Sequence, residues 1–90
     1  MQTYIIEFYL YCEWKHLPPT YRIYCDDSLL TERTYIWHND KHVLQERLPI
    51  ITKSDKAVIR IEQVGQQSGK FSVKKVTTDP YELNVTVEIV

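Results

Sequence analysis

The chain has 90 residues, 43% of them apolar, with eleven Lys and Arg against twelve Asp and Glu. That size bounds a single domain over residues 1–90 with one core, and two glycines and four prolines among so many apolar residues exclude a disordered tail or low-complexity linker. A formal net charge of −1 leaves no broad positive field to gather phosphates, which argues against nucleic acid as a partner.

Residues 3–16 alternate. Ile6, Phe8, Leu10, Cys12 and Trp14 fall on one side, and Ile5, Glu7, Tyr9, Tyr11 and Glu13 on the other. Period two over a dozen residues marks a long strand with one dry face, and Trp14 belongs in the core or over one end of it. Leu17-Pro18-Pro19-Thr20 then breaks the ladder, because proline lacks the amide donor and restricts the residue before it.

Residues 21–37 read as a hairpin, with β-branched and aromatic residues flanking Asp26-Asp27-Ser28, whose short polar side chains favour turns. A three-residue loop would set Cys25 opposite Leu29 and Arg22 opposite Glu32. After the polar stretch 38–42, residues 43–51 carry two competing patterns. Asp40 could cap a short helix with Val43, Leu44, Arg47 and Leu48 on one face, whereas Leu44, Glu46, Leu48 and Ile50 alternate as a strand. The strand is favoured: Pro49 would stop a helix at little over two turns, and a proline within a strand marks an edge or an end.

Lys53-Ser54-Asp55-Lys56 is a charged turn, and residues 57–64 form a strand with Ala57, Ile59 and Ile61 on its dry face. The stretch 65–69 holds both glycines and should be the freest loop. In the next strand Phe71 and Val73 share a phase that Val76 leaves, which one extra residue, a β-bulge, would reconcile. Thr78-Asp79-Pro80 turns the chain into Tyr81, Leu83, Val85, Val87 and Ile89. Seven to eight strands with turn signals between them predict an all-β fold, an antiparallel, jelly-roll-like β-sandwich.

Little of this carries chemistry. His16, His38 and His42 read as loop residues, and none lies in a local context of nucleophile, base and orienter, so no enzyme and no catalytic residue are expected. His38, Asp40 and His42 share an i, i+2, i+4 spacing that could ligate a metal on a strand, and Asp26-Asp27 could meet calcium; both are read as polar loop composition, with no metal and no cofactor. Lys74-Lys75, extended by Lys70, reads as a solvated strand face. Cys12 and Cys25 sit in apolar strand runs and are expected as reduced core thiols. No leader pattern opens the chain and no apolar run reaches the ~20 residues that span a bilayer, so a cytoplasmic product without a membrane partner is expected.

The surplus is aromatic: seven tyrosines, two tryptophans and two phenylalanines. Rings exposed on a sheet form platforms for a protein partner or for sugar rings, and Tyr9, Tyr11, Tyr24, Tyr35 and Trp37 are the candidate binding residues. The expected function is non-catalytic recognition or assembly through a protein partner or self-association.

Two resemblances bear on this. Residues 22–37, then Leu-Gln-Glu-Arg-Leu-Pro-Ile at 44–50, Ala-Val-Ile-Arg-Ile at 57–61 and Lys-Phe-Ser-Val-Lys-Lys-Val at 70–76, resemble the jelly-roll layout of small calcium-dependent, xylan-binding modules. That likeness implies an alternative function, a carbohydrate-binding module in which Tyr24, Tyr35 or Trp37 stacks on a sugar and Asp26 or Asp27 holds a cation. The short length and the Asp-Asp-Ser-Leu-Leu-Thr-Glu-Arg stretch also resemble small uncharacterised β proteins of tailed phages that infect cyanobacteria. That second likeness implies a viral protein, a virion or host-interaction component placed in the virion or the host cytoplasm.

Overall fold

The computed structural model describes residues 2–14, 17–36, 43–65, 69–79 and 83–90. Seven strands are present among them: β1 (Gln2–Trp14), β2 (Thr20–Cys25), β3 (Ser28–Thr34), β4 (Leu44–Thr52), β5 (Lys56–Val64), β6 (Gly69–Asp79) and β7 (Asn84–Ile89). They form two layers, a three-stranded sheet in the order β4-β1-β6 and a four-stranded sheet in the order β3-β2-β5-β7. The fold is an all-β sandwich, and residues 44–52 are strand, as Pro49 implied. β4 lies at a sheet edge, where a missing amide is tolerated.

Alternation in the sequence becomes the two faces of each layer. The even residues Tyr4, Ile6, Phe8, Leu10 and Cys12 of β1 point inward, where they meet Tyr21, Ile23 and Cys25 of β2 and Ala57, Ile59 and Ile61 of β5. Each fully buried Ile or Phe removes enough apolar surface from water to contribute about 1.5–3 kcal/mol, before the entropy of ordering is subtracted. Trp14 packs partly buried against the margin of this core.

The hairpin differs from expectation by one residue. Asp26 and Asp27 alone make the loop, with φ of 46° and 71°, the pair of left-handed conformations that matches the twist of a two-residue hairpin. Cys25 therefore opposes Ser28, and Tyr24 opposes Leu29. The register then shifts between Ile23 and Tyr24, with Leu30 as the extra residue, and this slip restores the expected pairing of Arg22 with Glu32. The expected bulge in β6 is also present: Phe8 of β1 lies where the register jumps from Thr77 to Lys74, and Lys75 takes a φ of 57°.

The layout shares the two sheets of a jelly roll but departs from an antiparallel pattern at β5 and β7, which pair in parallel. The cause is connectivity. After β5 the chain crosses to the other sheet, runs along it as β6, and returns as β7, so β6 serves as the crossover that a parallel pair requires.

Of the two glycines, Gly65 has a φ of 82° and needs its freedom to turn. Gly69 begins β6, where an added Cβ would stand 2.9 Å from Pro19 Cγ and 3.0 Å from Cys12 Sγ. Residues 66–68, the middle of the loop expected to be freest, lie outside the described residues, as does Tyr81.

Candidate functional site

Tyr9 and Tyr11 stand two residues apart on the outer face of β1, both partly exposed. Across the ladder Tyr9 faces Lys74 and Tyr11 faces Ser72 on β6, while Gln45 of β4 faces Tyr9 from the other side. In an uninterrupted strand Lys74 and Lys75 would point to opposite faces. The bulge changes that. Lys74 Nζ lies 5.3 Å from the Tyr11 ring centroid and Lys75 Nζ lies 5.6 Å from that of Tyr9, both within cation–π range. Beside them, Arg47 Nε sits 3.4 Å from Glu7 Oε1, and Gln45 Nε2 donates to Glu7 Oε2 at 3.3 Å. The result is a strip of two phenols and two ammonium groups, bounded on the β4 side by a neutralised Arg–Glu pair.

The other aromatic candidates do not join it. Tyr24 lies on the outer face of the opposite sheet, beneath the Arg60 guanidinium at 4.5 Å. Arg60 is itself engaged with Asp27 at 2.9 Å and Glu62 at 3.8 Å, and Arg22 pairs with Glu32 at 2.6 Å. Arg60 and Arg22 of that face are thus each set beside a carboxylate. Stacked sheets stand about 10 Å apart, so Tyr24 and the Tyr9–Tyr11 strip look in opposite directions and cannot grip one small ligand together.

Tyr35 is corrected from platform to core. β3 ends at Thr34, the Tyr35 amide donates to Pro19 O at 2.9 Å, and the ring turns inward to full burial. Its hydroxyl donates to Leu10 O at 3.0 Å, and its ring packs against Tyr21 and Phe71 at centroid distances of 6.5 and 6.1 Å. Trp37 lies outside the described residues, as do His16, His38, Asp40 and His42.

Asp26 and Asp27 are engaged within the protein itself. Asp26 Oδ1 accepts from the Val58 amide at 3.0 Å, and Asp27 Oδ1 holds Arg60. Among the described residues no group of three His, Cys, Asp or Glu gathers to hold a metal ion. Both thiols are free and buried. Cys12 lies beside Gly69, which Pro19 also approaches, at one end of the sandwich, whereas Cys25 sits five residues beyond Thr20 along β2, about 17 Å farther on, too far for a disulfide. Burial pushes the Cys12 thiol up to about 11 and also raises that of Cys25, which keeps both protonated and poorly nucleophilic at neutral pH.

One polar group escaped the sequence reading. Glu46, 3% exposed, projects inward from β4 and joins the sheets: the Tyr21 hydroxyl donates to Oε1 at 2.7 Å, and Arg33 Nε lies 3.1 Å from Oε2. Its signal was its place in the inward phase of Leu44, Glu46, Leu48 and Ile50. The Arg33–Glu46 pair lines a groove of about 460 Å³ between the β3 and β4 edges.

No helix among the described residues is long and apolar enough to cross a membrane. Fold and site thus define a class, a seven-stranded β-sandwich with a Tyr–Lys strip on its three-stranded sheet. Comparisons with protein-family models, curated proteins and solved structures give no match.

Proposed function

We propose that this protein is a non-catalytic recognition or assembly module, and that the outer face of its three-stranded sheet captures a protein partner through carboxylate-bearing side chains. The observation that carries this reading is the β6 bulge, which brings two consecutive lysines over two neighbouring tyrosines. Rings offer rigid area with a polar tip, and the ammonium groups add charge that selects acidic partners over basic ones. The likeness to small tailed-phage proteins supplies a setting for the proposal, a virion component or a binder of a host factor.

Carbohydrate binding is the second reading, favoured by the side-by-side placement of Tyr9 and Tyr11. It is weakened by the cations, because a ring face that already carries an ammonium group is less open to stacking by a sugar. Titration of the labelled protein with short oligoglutamate peptides and, separately, with xylan oligosaccharides distinguishes the two by amide and ring chemical shifts. Recognition of acidic partners requires shifts at Tyr9, Tyr11, Lys74 and Lys75 with the peptides, lost in the Lys74→Glu/Lys75→Glu variant. Silence with the peptides refutes it, and a response to the sugars alone transfers the site to the carbohydrate reading.

A further inference from the structure

Among the described residues four strands form the edges of the two sheets: β4, β6, β3 and β7. Edges expose unpaired backbone groups and are commonly guarded by proline, bulges or charge. β4 carries Pro49, β6 carries the Lys74-Lys75 bulge, and β3 carries the Leu30 bulge beside Glu32 and Arg33. β7 has neither proline nor bulge, and its register with β5 is continuous from Asn84 to Ile89.

The free side of β7 can be read from its bonds to β5. The Asn84 amide donates to Asp55 O at 3.1 Å and the Val90 amide to Ile61 O at 2.9 Å, so the even residues turn their backbone groups toward β5. By the same alternation the N–H and C=O of Val85, Val87 and Ile89 turn away from it, toward the open edge. Of these, Ile89 is 45% exposed.

We infer that β7 is a self-pairing edge, on which a second copy of this chain adds its own β7 antiparallel about a two-fold axis at Val87. This goes beyond recognition by the Tyr9–Tyr11 strip and uses none of its residues. The register chosen lets all the open-edge groups of Val85, Val87 and Ile89 exchange hydrogen bonds with their counterparts. On the core side it sets Val87 against Val87 of the second copy, and Val85 against Ile89, extending an apolar stripe. On the outer side Thr86 meets Glu88 of the other copy, so the only charge on β7 never faces its own like. The two four-stranded sheets become one continuous eight-stranded sheet, and the contact is isologous, closing at a dimer instead of growing into a fibre.

Sedimentation of the full chain from low to high micromolar concentration tests this, with circular dichroism confirming the fold of each variant. A concentration-dependent dimer is expected. Thr86→Glu, on an exposed face, sets like charges opposite each other twice and should weaken the dimer about tenfold, whereas Thr86→Lys should tighten it severalfold. Ile89→Pro removes an amide aimed at the open edge, together with one side chain of the apolar stripe, and should abolish dimerisation. Tyr9→Ala/Tyr11→Ala should leave it unchanged, which separates this interface from the recognition strip. A monomer at every concentration overturns the inference, as does a dimer indifferent to both Thr86 substitutions.

Discussion

At the scale of the residue, the most demanding group is the carboxylate of Glu46. It is withdrawn from water between two sheets and held by the Tyr21 hydroxyl and the Arg33 guanidinium. Ionised groups in such places are tolerated only while their acceptor sites are satisfied, and removing one partner costs more than the pair contributes. Tyr21→Phe should therefore destabilise the protein by about 1–3 kcal/mol, because it strips the buried Oε1 of its donor without changing the ring packing. Glu46→Leu alone leaves the Tyr21 hydroxyl without an acceptor and should cost a similar amount. Arg33, about half exposed, regains water in that variant. The double variant removes both halves of the hydrogen bond, and urea denaturation should find it less destabilised than the two singles combined. Strict additivity would show that the bond ties the sheets together no more than packing does.

At the scale of the element, turns and bulges decide which side chains meet. Asp26 and Asp27 both occupy left-handed conformations, which cost an L-residue about 1 kcal/mol or more each and glycine almost nothing. Asp26 has a compensating role, since its carboxylate accepts the Val58 amide. Asp27 offers only an ion pair from a side chain 86% exposed, a contact of small value in water. Asp27→Gly should accordingly raise stability by up to about 1 kcal/mol, read as a higher urea midpoint; a lower midpoint would mean that the Arg60 contact outweighs backbone strain. The same hairpin shows how far the sequence could be read. Arg22 and Glu32 were legible as partners, but not the way they become so, because Leu29 and Leu30 are both apolar and hide the phase slip between them. The β6 bulge was legible because Val76 falls visibly out of step with Phe71 and Val73. Its consequence, two lysines over two tyrosines, was not, since cross-strand neighbours depend on a partner strand more than fifty residues away in the chain. Tyr35 read as a strand residue and is instead the first residue past one, turned inward by its amide bond to Pro19.

At the scale of the whole molecule, the sandwich keeps several acidic protons out of water, and this fixes how its stability responds to alkali. Cys12 rises from an ordinary value near 9 to about 11, chiefly through burial. Cys25 is raised for the same main reason, with Asp26 adding to it, and Tyr21 moves well above its ordinary 10 through burial, reinforced by its bond to Glu46. In each case the folded state holds its proton more tightly than the unfolded chain. Below pH 9 both states are protonated and the contribution is whole. Above it the unfolded chain ionises first, binds fewer protons than the native state, and gains stability relative to it, so the free energy of unfolding falls as pH rises. Urea midpoints should be level from pH 7 to about 9, decline from there as the thiols ionise in the unfolded chain, and steepen past 10 as Tyr21 joins them. Cys12→Ala/Cys25→Ala should remove the first part of the decline and Tyr21→Phe the second, each measured against its own plateau. A midpoint unchanged to pH 11 would show that these groups are wet in solution, and with them the end of the core where Tyr21 and Cys12 lie; a decline that starts below pH 8 would assign the alkaline limb to other groups.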